Sequence, residues 1–142
     1  MHFLWCFKID SSILYDAKVF INGRNEYKVK TLVQKYKKKG KNVESAIFDI
    51  NNYKKVKNFF NKNRKFHIII NNAYEAIPGH FENFNKKSYE KTYKVGITAV
   101  AHLVDCARNS LKNGSRDIGT ASVINIASMY GSVSPDFKIY SN

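Results

Sequence analysis

The chain has 142 residues and a formal net charge of +13. That length suffices for one domain with a hydrophobic core and is short for two. With 44% hydrophobic and 25% charged residues the composition is that of a globular protein, which argues against wholesale disorder. No apolar run approaches the roughly 18 residues that a membrane-spanning helix needs, so no membrane association is expected.

The positive charge comes mainly from lysines scattered along predicted helices, as in residues 35–41 and 54–57. Scattered lysines are typical of solvated helix faces, so a nucleic-acid-binding surface is the less favoured interpretation. Cys6 and Cys106 lie far apart without metal-ligand spacing, which predicts free thiols in a reducing compartment. We therefore expect a cytoplasmic protein without a metal site.

Strand and helix patterns alternate along the chain from residue 17 onward. Strands appear as short runs rich in β-branched residues, and helices as apolar residues three and four positions apart. Asn25 is a predicted N-cap, and Gly40 stands where a helix end favours a left-handed residue. In chain order, the predicted elements are strand 17–22, helix 28–39, strand 43–50, helix 52–62, strand 66–71, helix 86–112 (ended by Asn113-Gly114) and strand 121–127.

This alternation predicts an α/β fold, a doubly wound parallel sheet with helices on both faces. Residues 1–16 are an atypical N-terminal segment, and residues 17–142 form the domain. A parallel strand at residues 3–9 would leave only residues 10–16 for its crossover, whereas such connections take about a dozen residues or more. We therefore expect residues 3–9 to form a strand in another orientation or part of a helix.

Polar residues follow the buried strands. Asn71-Asn72-Ala73 closes the strand 66–71, Ser128 follows the strand 121–127, and Asp49 lies at the end of an earlier strand. Parallel strands end at one edge of a sheet, so these side chains are expected to face a shared crevice there. Each also has a structural alternative, because Asn and Ser favour turns and a carboxylate stabilises a helix N-terminus.

Over about residues 17–134 this pattern resembles the short-chain dehydrogenases/reductases. Asn71-Asn72-Ala73 is similar to that family's Asn-Asn-Ala-Gly motif, with Tyr74 where glycine is usual. Asp49, followed by Ile50, resembles the acid that contacts the adenine amino group, and Ser128 resembles the catalytic serine. The resemblance implies a Rossmann-like fold that binds a nicotinamide dinucleotide through Asp49, Ile50, Asn71, Asn72 and Ala73.

The resemblance also implies hydride transfer between this cofactor and a small carbonyl or alcohol substrate. In the family the serine, here Ser128, hydrogen-bonds the substrate oxygen, and a tyrosine is the general acid/base, for which Tyr140 is the candidate. A lysine four residues later lowers the pKa of that tyrosine. The helix 86–112 corresponds to one that commonly packs in a dimer interface, so a homo-oligomer is expected.

The cofactor preference is indicated by the residues that follow the predicted strand 17–22, which corresponds to the second strand of the family. In the family an acid at this position binds the ribose hydroxyls of NAD, whereas this chain has Gly23 followed by Arg24. A guanidinium can bind a 2′-phosphate through charge-assisted hydrogen bonds. The sequence therefore favours NADP, with NAD as the alternative.

Four features depart from the family pattern. No glycine precedes Gly23, so the first strand and its glycine-rich phosphate loop are predicted to be missing. Gly96 replaces a helix asparagine that supports a proton-relay water. Tyr140 comes twelve residues after Ser128, about one short of the usual family spacing, and its lysine partner would fall beyond Asn142.

These departures predict an incomplete domain, truncated at both ends and inactive or impaired. The alternative is a non-catalytic Rossmann-like module for binding or oligomerisation. In the family the first strand lies at the centre of the sheet, and its loss would leave two unpaired strand edges. We hypothesise that the apolar segment 3–9 partly fills this gap.

Overall fold

The computed structural model describes residues 2–6, 17–75 and 85–128. Within these residues five strands form one parallel sheet in the order β3-β2-β1-β4-β5. The strands are β1 His2–Cys6, β2 Lys18–Gly23, β3 Val43–Ile47, β4 Ile68–Asn71 and β5 Ser122–Asn125. The helices are α1 Glu26–Lys37, α2 Tyr53–Lys62, α3 Lys86–Tyr93, a π-helical turn Lys94–Thr98 and α4 Ala99–Ile118.

Helices pack on both faces of the sheet, as predicted. Alternate residues of a strand point to opposite faces, and β2 follows this rule. Phe20 joins a core cluster with residues of α2 and α4, whereas Val19 and Ile21 join a second cluster with residues of α1. The doubly wound α/β fold is thereby confirmed.

The expectation that the first strand is missing is wrong, and so, for residues 3–6, is the expectation of a strand in another orientation or of part of a helix. β1 is parallel to β2 and to β4 and lies between them, with Phe3 opposite both Val19 and Ile68. The argument from the length of the crossover failed because it extended the strand to residue 9. The strand ends at Cys6, so residues 7–17, and not only 10–16, are available for the connection. The hypothesis that the apolar segment 3–9 partly fills the central gap is confirmed for residues 3–6. Residues 7–9, and the rest of the stretch that connects β1 to residue 17, lie outside the described residues.

The helix starts follow the predicted capping chemistry. The Asn25 side chain accepts a hydrogen bond from the Lys28 backbone N–H at 2.9 Å, and Asn52 caps α2 in the same way through Lys55 at 3.0 Å. Such caps satisfy backbone donors that a helix leaves unpaired at its start. Gly40 has a φ of +73°, the left-handed conformation predicted for it. Most predicted bounds differ from the observed ones by only a few residues.

The last helical segment departs further from prediction. It contains a π-helical turn and runs past Asn113-Gly114 to Ile118, where Gly119 ends it with a φ of +80°. Gly114 is buried inside α4, not at its end. The sequence predicts a helix end at Asn113-Gly114, whereas Gly114 allows a close contact between α4 and Phe66, which precedes β4.

Candidate functional site

A cleft of about 410 Å³ opens at the carboxyl edge of the sheet. It is lined by residues 22–24 at the end of β2, 48–51 after β3 and 72–75 after β4, with Val95 from the π-helical turn. Because the strands are parallel, all three deliver their following residues to this edge. A concave site of this size suits a small ligand or part of a cofactor.

The structure brings five of the predicted cofactor-binding residues together in this cleft. They come from three separate loops and are Arg24, Asp49, Ile50, Asn72 and Ala73. Ile50 is buried, Asp49, Asn72 and Ala73 are half-buried, and Arg24 is exposed at the mouth. Topology alone explains this convergence, since the loops are far apart in sequence.

Asn71, the sixth predicted cofactor-binding residue, does not line the cleft. It is buried, and its Nδ2 donates to Asn125 Oδ1 at 2.8 Å. Its carbonyl oxygen accepts the backbone N–H of Ile126 at 2.9 Å. Asn71 therefore joins the ends of β4 and β5, which matches the plain structural alternative of polar groups satisfied at a strand end.

The predicted catalytic residues follow β5. β4 and β5 are parallel neighbours with Asn71 opposite Asn125, so Ser128 comes after a strand that ends at the same edge as the cleft. Ser128 is exposed. Tyr140 lies outside the described residues. Gly96 lies in the π-helical turn beside Val95, and a Cβ built on it would meet no atom of the described residues within 4 Å.

Asp49 organises the loop after β3. Its Oδ1 accepts the backbone N–H of Asn51 at 2.8 Å and the Asn51 side-chain Nδ2 at 3.0 Å. Asn51 Oδ1 is buried, and no group in the described part of the chain donates a hydrogen bond to it. The second oxygen of Asp49, Oδ2, lies 4.0 Å from Arg24 Nη1. Asp49 therefore contacts both its own loop and the residue that follows β2.

Asn22 shapes the floor of the cleft and was not predicted. Its side chain is 3% exposed, and its Nδ2 donates to the carbonyl oxygens of Ala46 at 2.8 Å and Phe48 at 3.2 Å. These bonds join the end of β2 to the end of β3. The available signal was a polar residue closing an otherwise apolar strand, since such a residue needs buried partners.

Four charged residues form a cluster at the mouth of the cleft. Arg24 Nη1 lies 3.1 Å from Glu75 Oε2 and 4.0 Å from Asp49 Oδ2, and Lys91 Nζ lies 2.6 Å from Glu75 Oε1. The hydrogen bond from Lys91, with the positive charge of Arg24, holds the pKa of Glu75 below its usual value despite its partial desolvation. Glu75 and Lys91 were not predicted, because neither belongs to a local motif and their contacts depend on the folded chain.

The described residues contain neither a metal site nor a membrane span. No group of three or more His, Cys, Asp or Glu side chains is placed to hold a metal ion in residues 17–75 and 85–128. Across the same described stretches, no helix has both the length and the apolar character required to cross a bilayer.

Solved structures share this fold at low sequence identity. Pseudomonas aeruginosa RhlG, in an active-site complex with NADP, has a TM-score of 0.74 and 20% identity, covering 84% of this chain and 48% of that one. Gluconate 5-dehydrogenase from Burkholderia cenocepacia J2315, in complex with NADP and tartrate, has a TM-score of 0.69 and 22% identity, covering 84% and 47%. A short chain dehydrogenase/reductase from Burkholderia phymatum, in complex with NAD, has a TM-score of 0.71 and 21% identity, covering 84% and 43%.

This chain thus spans about half the length of these three proteins. No curated protein matches the sequence at a significant level. The profile of the short chain dehydrogenase family matches residues 10–141, nearly the whole chain. The chain therefore belongs to the short chain dehydrogenase family.

Proposed function

We propose that this chain binds a nicotinamide dinucleotide in the cleft and takes part in hydride transfer between that cofactor and a carbonyl or alcohol substrate. The observation that carries the proposal is the convergence of Arg24, Asp49, Ile50, Asn72 and Ala73 on one cleft at the carboxyl edge of the sheet. NADP or NAD is bound in the structures of the three similar proteins. When bound, the cofactor supplies or accepts the hydride.

The chemistry of the cleft suits the adenosine part of the cofactor. An adenine amino group offers N–H donors, and the Asp49 carboxylate, whose side chain is 39% exposed, is an acceptor in the cleft. Ile50, Asn72 and Ala73 also line the cleft, and Ile50 adds an apolar side chain for the base. A hydrogen bond from the amino group to Asp49 would give binding a defined orientation.

We further propose a preference for NADP, with NAD as the weaker ligand. Arg24 follows β2 at the mouth of the cleft, and its side chain is 58% exposed. A guanidinium in this position can form charge-assisted hydrogen bonds with a 2′-phosphate. No acid occupies positions 23 or 24, where it would repel that group.

The catalytic assignment remains part of the proposal. Ser128, after β5, would hydrogen-bond the substrate oxygen, and Tyr140 would act as general acid/base. We propose that turnover is slow, because Gly96 has no side-chain group where the family places an asparagine. Among the residues that the structure describes, none would contact a Cβ at position 96.

Cofactor titration tests the binding proposal. We expect saturable binding of NADPH, followed by fluorescence or calorimetry, and about tenfold weaker binding in Asp49→Ala, the loss of a hydrogen bond to a charged group. Asp105→Ala, on the outer face of α4, removes the same charge, serves as the control and leaves the Kd unchanged. Absence of binding of both NADPH and NADH at about 1 mM, the limit of weak but specific association, contradicts the proposal.

Self-association is a second candidate function, whether or not the chain is catalytic. Tyr89, Tyr93 and Ile97 follow one another at intervals of four residues and are 57%, 63% and 54% exposed. Such spacing places side chains on one side of a helix. Exposed apolar residues aligned in this way are typical of a protein interface. They support a homo-oligomer formed through the helix that begins at Lys86.

A further inference from the structure

The carboxylate of Glu75 is shared between two cations. Its Oε2 accepts from Arg24 Nη1 at 3.1 Å, and its Oε1 pairs with Lys91 Nζ at 2.6 Å. Only 17% of the Glu75 side chain is exposed, against 58% for Arg24 and 54% for Lys91. Lys91 belongs to α3, so the carboxylate is held from one side by the helix and from the other by the residue that follows β2.

The same nitrogen of Arg24 faces a second carboxylate. Nη1 lies 4.0 Å from Asp49 Oδ2 as well as 3.1 Å from Glu75 Oε2. Two cations, Arg24 and Lys91, are therefore matched by two anions, Asp49 and Glu75. A phosphate that approaches Arg24 meets a guanidinium already in contact with a carboxylate, and it meets two negative charges within a few ångströms.

We propose that Glu75 is a cofactor-specificity residue that competes with the 2′-phosphate of NADP for Arg24 and so weakens NADP binding relative to NAD. This inference rests on the proposed function and deepens it. Arg24 supplies the attraction for the 2′-phosphate, and Glu75 sets how much of that attraction is available. Neutralising Glu75 therefore strengthens NADPH binding selectively, because NADH carries no phosphate at this position.

Protonation does not remove the competition near neutral pH. The hydrogen bond from Lys91 lowers the pKa of Glu75, and the charge of Arg24 acts in the same direction. Glu75 is therefore ionised under ordinary assay conditions, and its removal has to be made by substitution. Glu75→Gln keeps the shape of the side chain and a carbonyl acceptor for Lys91 while removing the charge.

The experiment measures the Kd values of NADPH and NADH by calorimetry for the unaltered protein, Glu75→Gln, Arg24→Gln and the double variant. We expect Glu75→Gln to tighten NADPH binding about fivefold, the scale of an exposed ion pair, and to leave NADH binding within about twofold. In the Arg24→Gln background the gain disappears, because the cation that both anions share is gone.

Glu44→Gln is the matched control. Glu44 also pairs with a lysine, since its Oε1 lies 2.8 Å from Lys18 Nζ, but it lies on β3 near the amino end of the sheet. The Glu44→Gln substitution removes the same charge from the protein without touching Arg24. The ratio of NADPH to NADH affinity in this variant therefore stays at the value of the unaltered protein. Glu75→Ala is a second variant that removes the carboxylate, and the NADH Kd reports whether either variant retains the folded cleft.

The outcomes separate the two proposals. Failure of both cofactors to bind overturns the proposed function and this inference with it. Binding of both cofactors with an unchanged affinity ratio in Glu75→Gln and Glu75→Ala overturns the inference alone. An equal gain in Glu44→Gln, or a gain that persists without Arg24, also overturns it, because the effect would then be one of total charge.

Discussion

Gly114 in α4 packs directly against the backbone carbonyl group of Phe66. A Cβ built on Gly114 would lie 2.6 Å from the carbonyl carbon of Phe66 and closer still to its oxygen. The Phe66 backbone N–H also donates to the Ser110 carbonyl oxygen of the same helix at 3.0 Å. The long helix is therefore joined to the chain entering β4 by backbone contacts that leave no room for a side chain.

Replacing Gly114 by alanine is expected to destabilise the fold by about 1–3 kcal/mol, the usual cost of overpacking a tight site. Elsewhere in a helix the same change stabilises by about 0.5–1 kcal/mol. Gly96→Ala is the matched control, because a Cβ there meets no atom within 4 Å in the part of the chain that the structure describes. Urea unfolding at constant m-value measures both changes. Equal stability of the two variants contradicts the close contact.

Removing the Asn22 amide should affect stability and cofactor binding together. Asn22→Ala leaves the carbonyl oxygens of Ala46 and Phe48 without this donor, at an expected cost of about 1–3 kcal/mol for buried groups. Asn113→Ala is the comparison, since Asn113 Nδ2 also donates to a carbonyl oxygen, that of Arg64, but at an exposed site. If Asn22→Ala loses no more free energy of unfolding than Asn113→Ala does, Asn22 has no structural role at the cleft floor.

Asp117 should stabilise the fold in a pH-dependent way. The hydrogen bond from Lys65 lowers the pKa of Asp117, and the charges of Lys65 and His67 add to the effect. A carboxyl whose pKa is lower in the folded state contributes stability above its unfolded pKa of about 3.9, and this is lost as the pH falls through the folded value. The protein should therefore exceed Asp117→Asn in Tm at neutral pH, and the difference should vanish in acid.

Asp105→Asn provides the reference for the Asp117 measurement. Asp105 pairs with Arg108 within one turn of α4, at 2.8 Å and with both side chains more than half exposed. The Asp105→Asn variant loses the same charge as Asp117→Asn. Subtracting the pH profile of its Tm therefore removes the effect of net charge. A difference for Asp117→Asn that grows on acidification would have the wrong sign and would refute the assignment.

Ser128 should matter for turnover and not for cofactor affinity. In an assay of NADPH oxidation with small ketones and aldehydes, Ser128→Ala is expected to lower kcat about a hundredfold, the scale of losing one donor to a reacting oxygen. Ser122→Ala, at the other end of β5, should leave turnover unchanged. A Kd for NADPH that rises with the loss of turnover would assign Ser128 to binding instead.

The exposed residues of the last helical segment predict a measurable equilibrium between oligomers. Ile97→Lys should weaken self-association at least about tenfold in sedimentation experiments, because a charge would be buried in an apolar contact. Tyr27→Lys is the control, since Tyr27 is 80% exposed on α1, away from this helix. An oligomeric state that is the same in both variants argues against this surface.

From residue 17 onward, the order and type of the elements could be predicted from the sequence, because hydrophobic periodicity and capping residues are local properties. The Asn25 cap is one such case. The sequence also predicted that Arg24, Asp49 and Asn72 meet at one edge of the sheet, since consecutive parallel strands deliver their ends to the same side.

Other features depend on packing between distant residues. No local signal marks the contact of Gly114 with Phe66 or the hydrogen bond of Asn71 to Asn125. The contact of Glu75 with Arg24 joins residues 51 positions apart. Sequence by itself therefore determined which residues reach the cleft edge. The tertiary structure decided which of these residues face a ligand and which neutralise one another. The reason is that these contacts exist only once the loops are brought together.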